Sequence, residues 1–188
     1  MSASKHQSVR PKPISLLRIV RSAVGGPDGR PLYYLDAGAW RYRCSIGRSG
    51  TTRQKREGDG RTPIGRFSIL SWRFRPKGAV RSRPVAPWKY LQKNDLWCDD
   101  PRSGSYNREI KAPSRFGHER MWRDDKKYDA VGIMNYNIRP RVTRLGSAIF
   151  FHLCSEEYES TAGCVAVNGK DLNKILSRFT AGAVVVVG

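Results

Sequence analysis

The sequence has few acidic residues, few cysteines and histidines, and no long apolar run. Its 188 residues include 16 Asp and Glu against 35 Lys and Arg, a formal net charge of +19. The longest apolar run, residues 183–187, is strand-sized and far below the ~20 residues that cross a membrane. With 39% hydrophobic residues, the chain can bury its own core. We therefore expect one folded domain and no transmembrane segment.

The scarcity of metal and disulfide ligands excludes two further classes of protein. The four cysteines, at positions 44, 98, 154 and 164, form no Cys-x-x-Cys pair, and there are only three histidines. Structural zinc sites need closely spaced sulfur and nitrogen ligands, and disulfide scaffolds are typical of shorter secreted chains. We therefore expect no metal site and no disulfide scaffold.

The excess of positive charge indicates an anionic partner, such as nucleic acid or a cell-envelope polymer. Much of it lies in residues 48–61 and 73–93, and the second segment has seven Lys or Arg and no acid. Neither segment resembles a helix-turn-helix, a zinc finger or an RNP motif. We therefore expect no specific nucleic acid, and an anionic cell-envelope surface explains the charge equally well. Nothing in the sequence indicates an oligomeric state.

The residue pattern predicts a mainly β fold with a mixed or mostly antiparallel sheet. Residues 1–13 are predicted to be a flexible basic tail and residues 14–188 the folded domain. Strands are predicted at 14–22, 32–35, 40–46, 67–72, 128–136, 147–153 and 183–187. Residues 47–61, 73–93 and 94–127 are predicted to be long and largely irregular, and such segments are usually functional.

One helix is predicted near the end of the chain. Asn168 is its predicted N-cap, and Asp171 follows three residues later. Apolar residues at 172, 175, 176 and 179 have helical spacing, and Gly182 is predicted to end the helix.

At the other end of the chain, Arg18 and Arg21 interrupt the first apolar stretch, which makes it a poor secretion signal.

His152 and Cys164 are the residues most indicative of chemistry. His152 closes one predicted strand, and Gly163-Cys164 opens the next apolar segment twelve residues after that histidine. Adjacent strands would bring the imidazole to the thiol, where it can stabilise a thiolate nucleophile. The glycine permits a sharp turn that directs backbone N–H groups at an oxyanion. The alternative for the pair alone is a buried structural cysteine beside a hydrogen-bonded histidine.

This block resembles the signature of the L,D-transpeptidase catalytic domain (the YkuD family), which is a His, a gap, and then Ser/Thr-His-Gly-Cys. His152 matches the first His, Thr161 the Ser/Thr, Gly163 the glycine and Cys164 the nucleophile. Residues 59–67, Asp-Gly-Arg-Thr-Pro-Ile-Gly-Arg-Phe, resemble the Thr-Pro-x-Gly-x-Phe element of that family. The resemblance covers residues 14–188 and implies a β-sandwich or mixed sheet.

The resemblance also implies a reaction on peptidoglycan stem peptides. Cys164 is expected to attack the carbonyl of an L-to-D peptide bond, with His152 assisting and the Leu153 carbonyl orienting the other ring nitrogen. The thioester then passes to an acceptor amine or, in an L,D-carboxypeptidase, to water. The resemblance implies no cofactor and a periplasmic or cell-wall location, although no signal peptide is visible.

The sequence departs from the family pattern at Ala162, where a second His is usual. The gap between His152 and Cys164 is also shorter than usual, and the Arg or Asn that commonly follows the cysteine is absent. We therefore hypothesise a changed groove that uses the L-Ala carbonyl as donor and makes 1,3-type cross-links; the diaminopimelate carbonyl is the alternative. The alternative to an enzyme is a basic binding module, for the cell wall or for nucleic acid, in which the site is inactive.

The aromatic segment 94–127 supplies the remaining candidate residues. His118 is predicted to replace the missing second His, and Arg120 to hold a stem carboxylate. Tyr106 and Trp122 are candidate walls of a groove, with core packing as the alternative. The alternative for His118 and Arg120 is an exposed loop.

The other cysteines and a group of acids complete the candidates. Cys154 shares a strand face with the histidine but has no neighbouring glycine, so it is only a rival nucleophile. Cys44 is predicted to be buried, and Cys98 has no assigned role. Three glutamates, at positions 156, 157 and 159, are predicted either to steady a cationic group of the substrate or to form a solvated loop.

Overall fold

The computed structural model describes residues 12–26 and 29–188, which form fourteen strands and one helix. Of the predicted tail, residues 1–11 lie outside the described residues. The strands are β1 (Ile14–Gly25), β2 (Pro31–Ala37), β3 (Trp40–Ser45), β4 (Thr51–Thr52), β5 (Thr62–Pro63), β6 (Gly65–Phe74), β7 (Trp88–Tyr90), β8 (Asp95–Cys98), β9 (Arg108–Lys111), β10 (His118–Arg120), β11 (Ala130–Met134), β12 (Phe150–Leu153), β13 (Val165–Val167) and β14 (Phe179–Val187); the helix is α1 (Gly169–Leu176).

Nine strands form one mixed sheet in the order β11-β12-β13-β3-β2-β1-β14-β6-β7. Strand β6 pairs with β14 and also with β11, so the sheet closes on itself. The pairs β1–β14, β12–β13 and β6–β7 are parallel, and the other neighbours are antiparallel. The prediction of a mainly β fold with a mixed sheet is confirmed.

The main core lies inside the closed sheet around the fully buried Trp72. Its ring centroid lies 6.0 Å from that of Phe74, 5.9 Å from Phe151 and 5.8 Å from Phe179. Such stacked and edge-on pairs add to the gain from burial. Three side chains of α1, Leu172, Ile175 and Leu176, pack into the same core, as their helical spacing predicts.

The predicted end of the helix is wrong. Helix α1 begins after the Asn168 cap, as predicted, but it ends at Leu176 with Ser177 as its C-cap. Phe179 opens β14 instead, because it pairs with Ile14 of β1 and packs on the tryptophan of the core. Gly182 has φ +77° and lies within an irregular part of β14, where only glycine adopts that conformation without strain.

The segment 94–127 is not irregular, contrary to our expectation. Strands β8, β9 and β10 form a three-stranded antiparallel sheet in the order β10-β8-β9. Their lengths of three or four residues are too short to give a recognisable alternation of apolar residues. The other predicted loops also contain short strands: β4 in residues 47–61 and β7 in residues 73–93.

A second buried cluster joins this small sheet to β11 and β12. It contains Leu91, Trp97, Met121, Tyr128, Val131, Ile133, Phe150 and Cys164. The rings of Trp97 and Phe150 meet edge-on, with their centroids 5.0 Å apart. The small sheet therefore packs against β12, the strand that carries His152, in a cluster that also includes Cys164.

Candidate active site

His152 and Cys164 lie on neighbouring strands and line one cavity. In the parallel pair β12–β13, Phe151 is opposite Val165 and His152 is opposite Ala166. Cys164 directly precedes β13, so the alternation of side chains puts it on the same sheet face as His152. Both residues line a cavity of about 500 Å³, which we call the catalytic cavity.

A backbone carbonyl fixes the His152 ring. Its Nδ1 atom lies 2.8 Å from the Leu153 carbonyl oxygen. A carbonyl can only accept a hydrogen bond, so Nδ1 carries the proton and Nε2 keeps a lone pair. The Tyr128 ring packs edge-on against the imidazole, with the centroids 5.0 Å apart. Burial lowers the pKa of His152 to about 4, so the imidazole is neutral at neutral pH.

The Cys164 thiol is held by two backbone groups. Its Sγ donates to the Ala148 carbonyl at 3.1 Å and accepts from the Phe150 N–H at 3.3 Å. Burial and, to a smaller extent, the negative charge of Glu119 raise the pKa of Cys164 to about 12. We expected His152 to stabilise a thiolate, but in this structure burial favours the neutral forms of both groups, because either ion would lose its hydration.

The turn before Cys164 requires glycine and is closed by a threonine. Gly163 has φ +146°, and a Cβ atom there would lie 2.9 Å from the Arg61 carbonyl oxygen. The Thr161 hydroxyl donates to the Cys164 carbonyl at 2.7 Å and accepts from the Gly163 N–H at 3.1 Å. These contacts fix the backbone on the N-terminal side of the thiol.

The two sequence motifs meet at this turn. Arg61, which approaches Gly163, belongs to the segment 59–67. In the same segment, the fully buried Thr62 accepts from the Gly47 N–H at 2.8 Å through its hydroxyl oxygen. Gly47 in turn forms a parallel bridge with Thr161. The Thr-Pro element therefore supports the backbone that precedes the thiol.

His118 and Glu119 of β10 form another wall of the catalytic cavity. The Nδ1 atom of His118 lies 2.7 Å from the Phe116 carbonyl oxygen, so Nδ1 of this ring carries a proton. The Glu119 Oε1 atom accepts from the Tyr128 hydroxyl at 2.6 Å and from Arg123 at 3.3 Å. Burial raises the pKa of Glu119. Sequence reasoning missed Glu119, although both of its neighbours were candidates.

Three other candidates from the same segment do not line the catalytic cavity. Arg120 is exposed at the end of β10. Trp122 packs against the second buried cluster, with the Arg75 guanidinium 4.5 Å from its ring centroid. Tyr106 is buried, and its hydroxyl donates to the Glu57 carboxylate. The core-packing alternative therefore fits both aromatic residues better than a role as groove walls.

Asn107 positions Ala148, whose carbonyl accepts the hydrogen bond of the Cys164 thiol. No sequence pattern identifies Asn107 as a site residue. Its Oδ1 accepts from the Trp97 Nε1–H at 2.9 Å and from the Ala148 N–H at 3.1 Å. Its Nδ2 donates to the Tyr136 and Asn137 carbonyls. The side chain is buried, and each of its polar atoms is bonded. Asn107 thus links the small sheet to the loop that faces Cys164.

The remaining cysteines differ in their access to the cavity. Cys154 is half-buried and lines the catalytic cavity, and burial raises its pKa to about 11. Cys44 and Cys98 are buried elsewhere, as predicted for Cys44. Of the three glutamates, only that at position 159 lines this cavity, and it pairs with Lys127 at 2.9 Å.

The described residues contain neither a metal-binding cluster nor a membrane-spanning helix. In residues 12–26 and 29–188, no group of three or more His, Cys, Asp or Glu residues is arranged to hold a metal ion. Within the same ranges, no helix has the length and apolar content needed to cross a membrane.

The family model of the L,D-transpeptidase catalytic domain (YkuD) matches residues 26–187, which is most of the chain. The chain belongs to this family. No curated protein and no solved structure matches it. L,D-transpeptidases of this family are cysteine-dependent, act on peptidoglycan peptides and are associated with the cell wall. The matched region includes all the candidate site residues, and the resemblance drawn from the two motifs is confirmed.

Proposed function

We propose that this chain is a peptidoglycan L,D-transpeptidase in which Cys164 is the nucleophile and His152 the general base. One observation carries the proposal. A single cavity contains both side chains, and the Leu153 carbonyl holds Nδ1–H so that Nε2 is the basic atom of His152. Cys154 lines the same cavity, but no glycine turn shapes the backbone beside it, so it is the weaker candidate.

In the first half-reaction, Cys164 attacks the donor carbonyl carbon. A C–S bond forms, the carbonyl electron pair moves to oxygen, and the thiol proton passes to His152 Nε2. Burial disfavours a separated thiolate and imidazolium, so this proton transfer accompanies the attack. When the C–N bond breaks, the imidazolium returns the proton to the leaving amine, which gives a thioester.

In the second half-reaction, an acceptor amine attacks the thioester and loses a proton to His152. The C–S bond breaks, and the proton returns from His152 to the sulfur. We assign Thr161 and Gly163 to positioning, because their hydrogen bonds fix the backbone around Cys164. With water in place of the amine, the same steps make the enzyme an L,D-carboxypeptidase.

Glu119 favours transfer to an amine over hydrolysis. Its carboxylate lines the catalytic cavity, and its hydrogen bonds with Tyr128 and Arg123 engage its Oε1 atom. A cationic acceptor amine finds a negative partner there, and a carboxylate can take up the proton that the amine must lose before attack. We assign His118, whose ring is held by the Phe116 carbonyl, to substrate binding in the same cavity.

We propose the L-Ala carbonyl as the donor, which gives 1,3-type cross-links, with the diaminopimelate carbonyl as the alternative. The supporting observation is that Ala162 lines the catalytic cavity and is exposed, where the family commonly has the larger His. A cavity of different shape holds the stem peptide differently and so changes which of its carbonyl groups lies within attack distance of the sulfur. Small misplacements of the reacting carbonyl strongly reduce the rate. A periplasmic location fits this substrate and the net charge of +19.

The test is mass spectrometry of the protein and its products after incubation with a purified disaccharide-tetrapeptide. We expect an acyl adduct on Cys164 in the wild type and in Cys154→Ala, and none in Cys164→Ala. Dimers whose donor has lost everything beyond L-Ala support the 1,3 type. Donors that lose only the terminal D-Ala refute it. Turnover by Cys164→Ala at the wild-type rate overturns the assignment of the nucleophile.

A further inference from the structure

A second cavity, of about 1010 Å³, lies beside the catalytic cavity, and we call it the arginine cavity. Its lining includes Arg21, Arg30, Arg43 and Arg48, and among the described residues its only acidic members are the glutamates at 157 and 159. Glu159 and Ser160 line both cavities. The two cavities are therefore adjacent and share residues 159 and 160 of their lining.

Three of these arginines lack a carboxylate partner within the described part of the chain. There, no carboxylate forms an ion pair with Arg21, Arg43 or Arg48. The Arg43 guanidinium lies instead 4.5 Å from the centroid of the Tyr158 ring. The Arg48 side chain packs so closely on Gly60 that a Cβ atom there would lie 3.1 Å from its Cγ.

Some arginines of the described residues form ion pairs, whereas others, including Arg66 and Arg81, form none. The residues at positions 41, 73, 102 and 123 each form an ion pair with a carboxylate within 3.3 Å. Glu159 at the edge of the arginine cavity is already paired with Lys127. Residues 21, 43 and 48 differ from unpaired arginines such as those at 66 and 81 because they line one cavity, where their positive charges lie together, as expected of a site for anionic groups.

The arginine cavity has a fixed position relative to the nucleophile. The Arg48 N–H donates to the Thr161 carbonyl at 2.9 Å, and the Thr161 N–H donates to the Ile46 carbonyl at 2.9 Å. The hydroxyl of the same threonine donates to the Cys164 carbonyl. Arg48 is therefore connected by hydrogen bonds, through Thr161, to the backbone of Cys164. A ligand held by Arg43 and Arg48 thus has a defined position relative to the thiol.

We propose that the arginine cavity binds the carboxylates of the acceptor stem peptide. This inference rests on the proposed transpeptidase function. Transfer needs two peptides at one thiol, and a cavity of about 500 Å³ is the size of a site for one small ligand. The donor carbonyl must contact the sulfur, so the donor occupies the catalytic cavity. The acceptor stem carries several free carboxylates, and guanidinium groups bind these in a bidentate manner.

The first experiment measures binding without catalysis. Calorimetry on Cys164→Ala uses a stem tripeptide with free carboxylates and the same peptide with its carboxylates amidated. We expect the free acid to bind at least about tenfold more tightly, and the further double substitution Arg43→Gln/Arg48→Gln to abolish this preference. Arg66→Gln/Arg81→Gln removes the same charge from exposed positions outside both cavities and is the matched control.

Equal binding of the two peptides, or equal losses in the arginine-cavity and control variants, overturns the proposal. So does displacement of the peptide by duplex DNA at lower concentration, which indicates a nucleic-acid site. Because the exposed arginines contribute little to the core, thermal unfolding is expected to match the wild type and serves as the folding check.

The second experiment measures how the thioester is partitioned between amine and water. With donor and acceptor present, we expect Arg43→Gln/Arg48→Gln to lower the ratio of cross-linked to hydrolysed product by about tenfold, and the control variant to keep the wild-type ratio. An unchanged ratio in the arginine-cavity variant overturns the inference. If the wild type forms no adduct on Cys164, the proposed function fails, whereas the binding result in Cys164→Ala still decides the role of the arginine cavity.

Discussion

The burial of His152 predicts a loss of stability at acidic pH. Its pKa is about 4 in the folded protein, against about 6.5 in an unfolded chain. Between these values the unfolded chain binds a proton that the folded protein does not, so the free energy of unfolding falls as the pH drops from about 6.5 to about 4. Because a tenfold change in proton affinity corresponds to about 1.4 kcal/mol, the loss is about 3 kcal/mol.

The perturbation that isolates this loss is His152→Asn. The amide keeps an N–H donor for the Leu153 carbonyl but does not titrate. Urea unfolding of both proteins from about pH 7 to about pH 4 gives the difference in their free energies of unfolding at each pH. The packing lost in the variant does not depend on pH, so it cancels when these differences are compared. We expect the difference to change by about 3 kcal/mol over this range.

The control is His118→Asn, which removes the half-exposed histidine of the same cavity. Its unfolding curves show how much of any pH dependence comes from removing a histidine of this cavity that is only partly buried. If the difference between the wild type and His152→Asn changes by less than about 0.5 kcal/mol from about pH 7 to about pH 4, His152 is not held neutral by burial, and our account of the neutral catalytic pair is refuted.

Three further predictions concern the surroundings of the thiol. Gly163→Ala should lower the free energy of unfolding by about 1–3 kcal/mol, because its φ is positive and a backbone carbonyl blocks a Cβ atom, whereas Gly104→Ala, in open space, should not. Glu119→Gln should lower the pKa of Cys164 and speed its alkylation by iodoacetamide at fixed pH; an unchanged rate contradicts the electrostatic contribution. Asn107→Leu should cost about 1–3 kcal/mol in urea unfolding, since it leaves buried N–H groups without acceptors, and a loss below about 0.5 kcal/mol argues against the role of this side chain.

The parts of the fold that depend on local sequence were predictable. The Asn168 cap and the first two turns of α1 follow from capping chemistry and helical spacing. The end of the helix did not follow, because Phe179 continues the same spacing but pairs with Ile14 at the far end of the chain. A contact over that sequence distance leaves no local signal, so periodicity alone makes the helix too long.

The candidate site likewise contains residues that the local sequence identifies and residues that it does not. His152 and Cys164 are marked by a motif of adjacent residue types, and the structure brings them to one cavity. No motif identifies the residues that position the thiol or change its pKa, because their contacts with the site depend on tertiary structure. Glu119 lines the cavity and bonds to Tyr128, nine residues away, and Asn107 bonds to Ala148, 41 residues away. Such partners become visible only once the small sheet is seen to pack beside the thiol.

The placement of β14 has a consequence for synthesis of the protein on the ribosome. This strand is translated after every other strand of the sheet, yet it lies between β1 and β6 rather than at an edge. Until residues 179–187 have left the ribosomal exit tunnel, β1 and β6 each have one edge that lacks its native partner, and such edges favour association between chains. The nascent polypeptide therefore cannot complete its sheet until residue 187 has emerged, and a ribosome that stalls before residue 179 leaves a gap in the middle of the sheet.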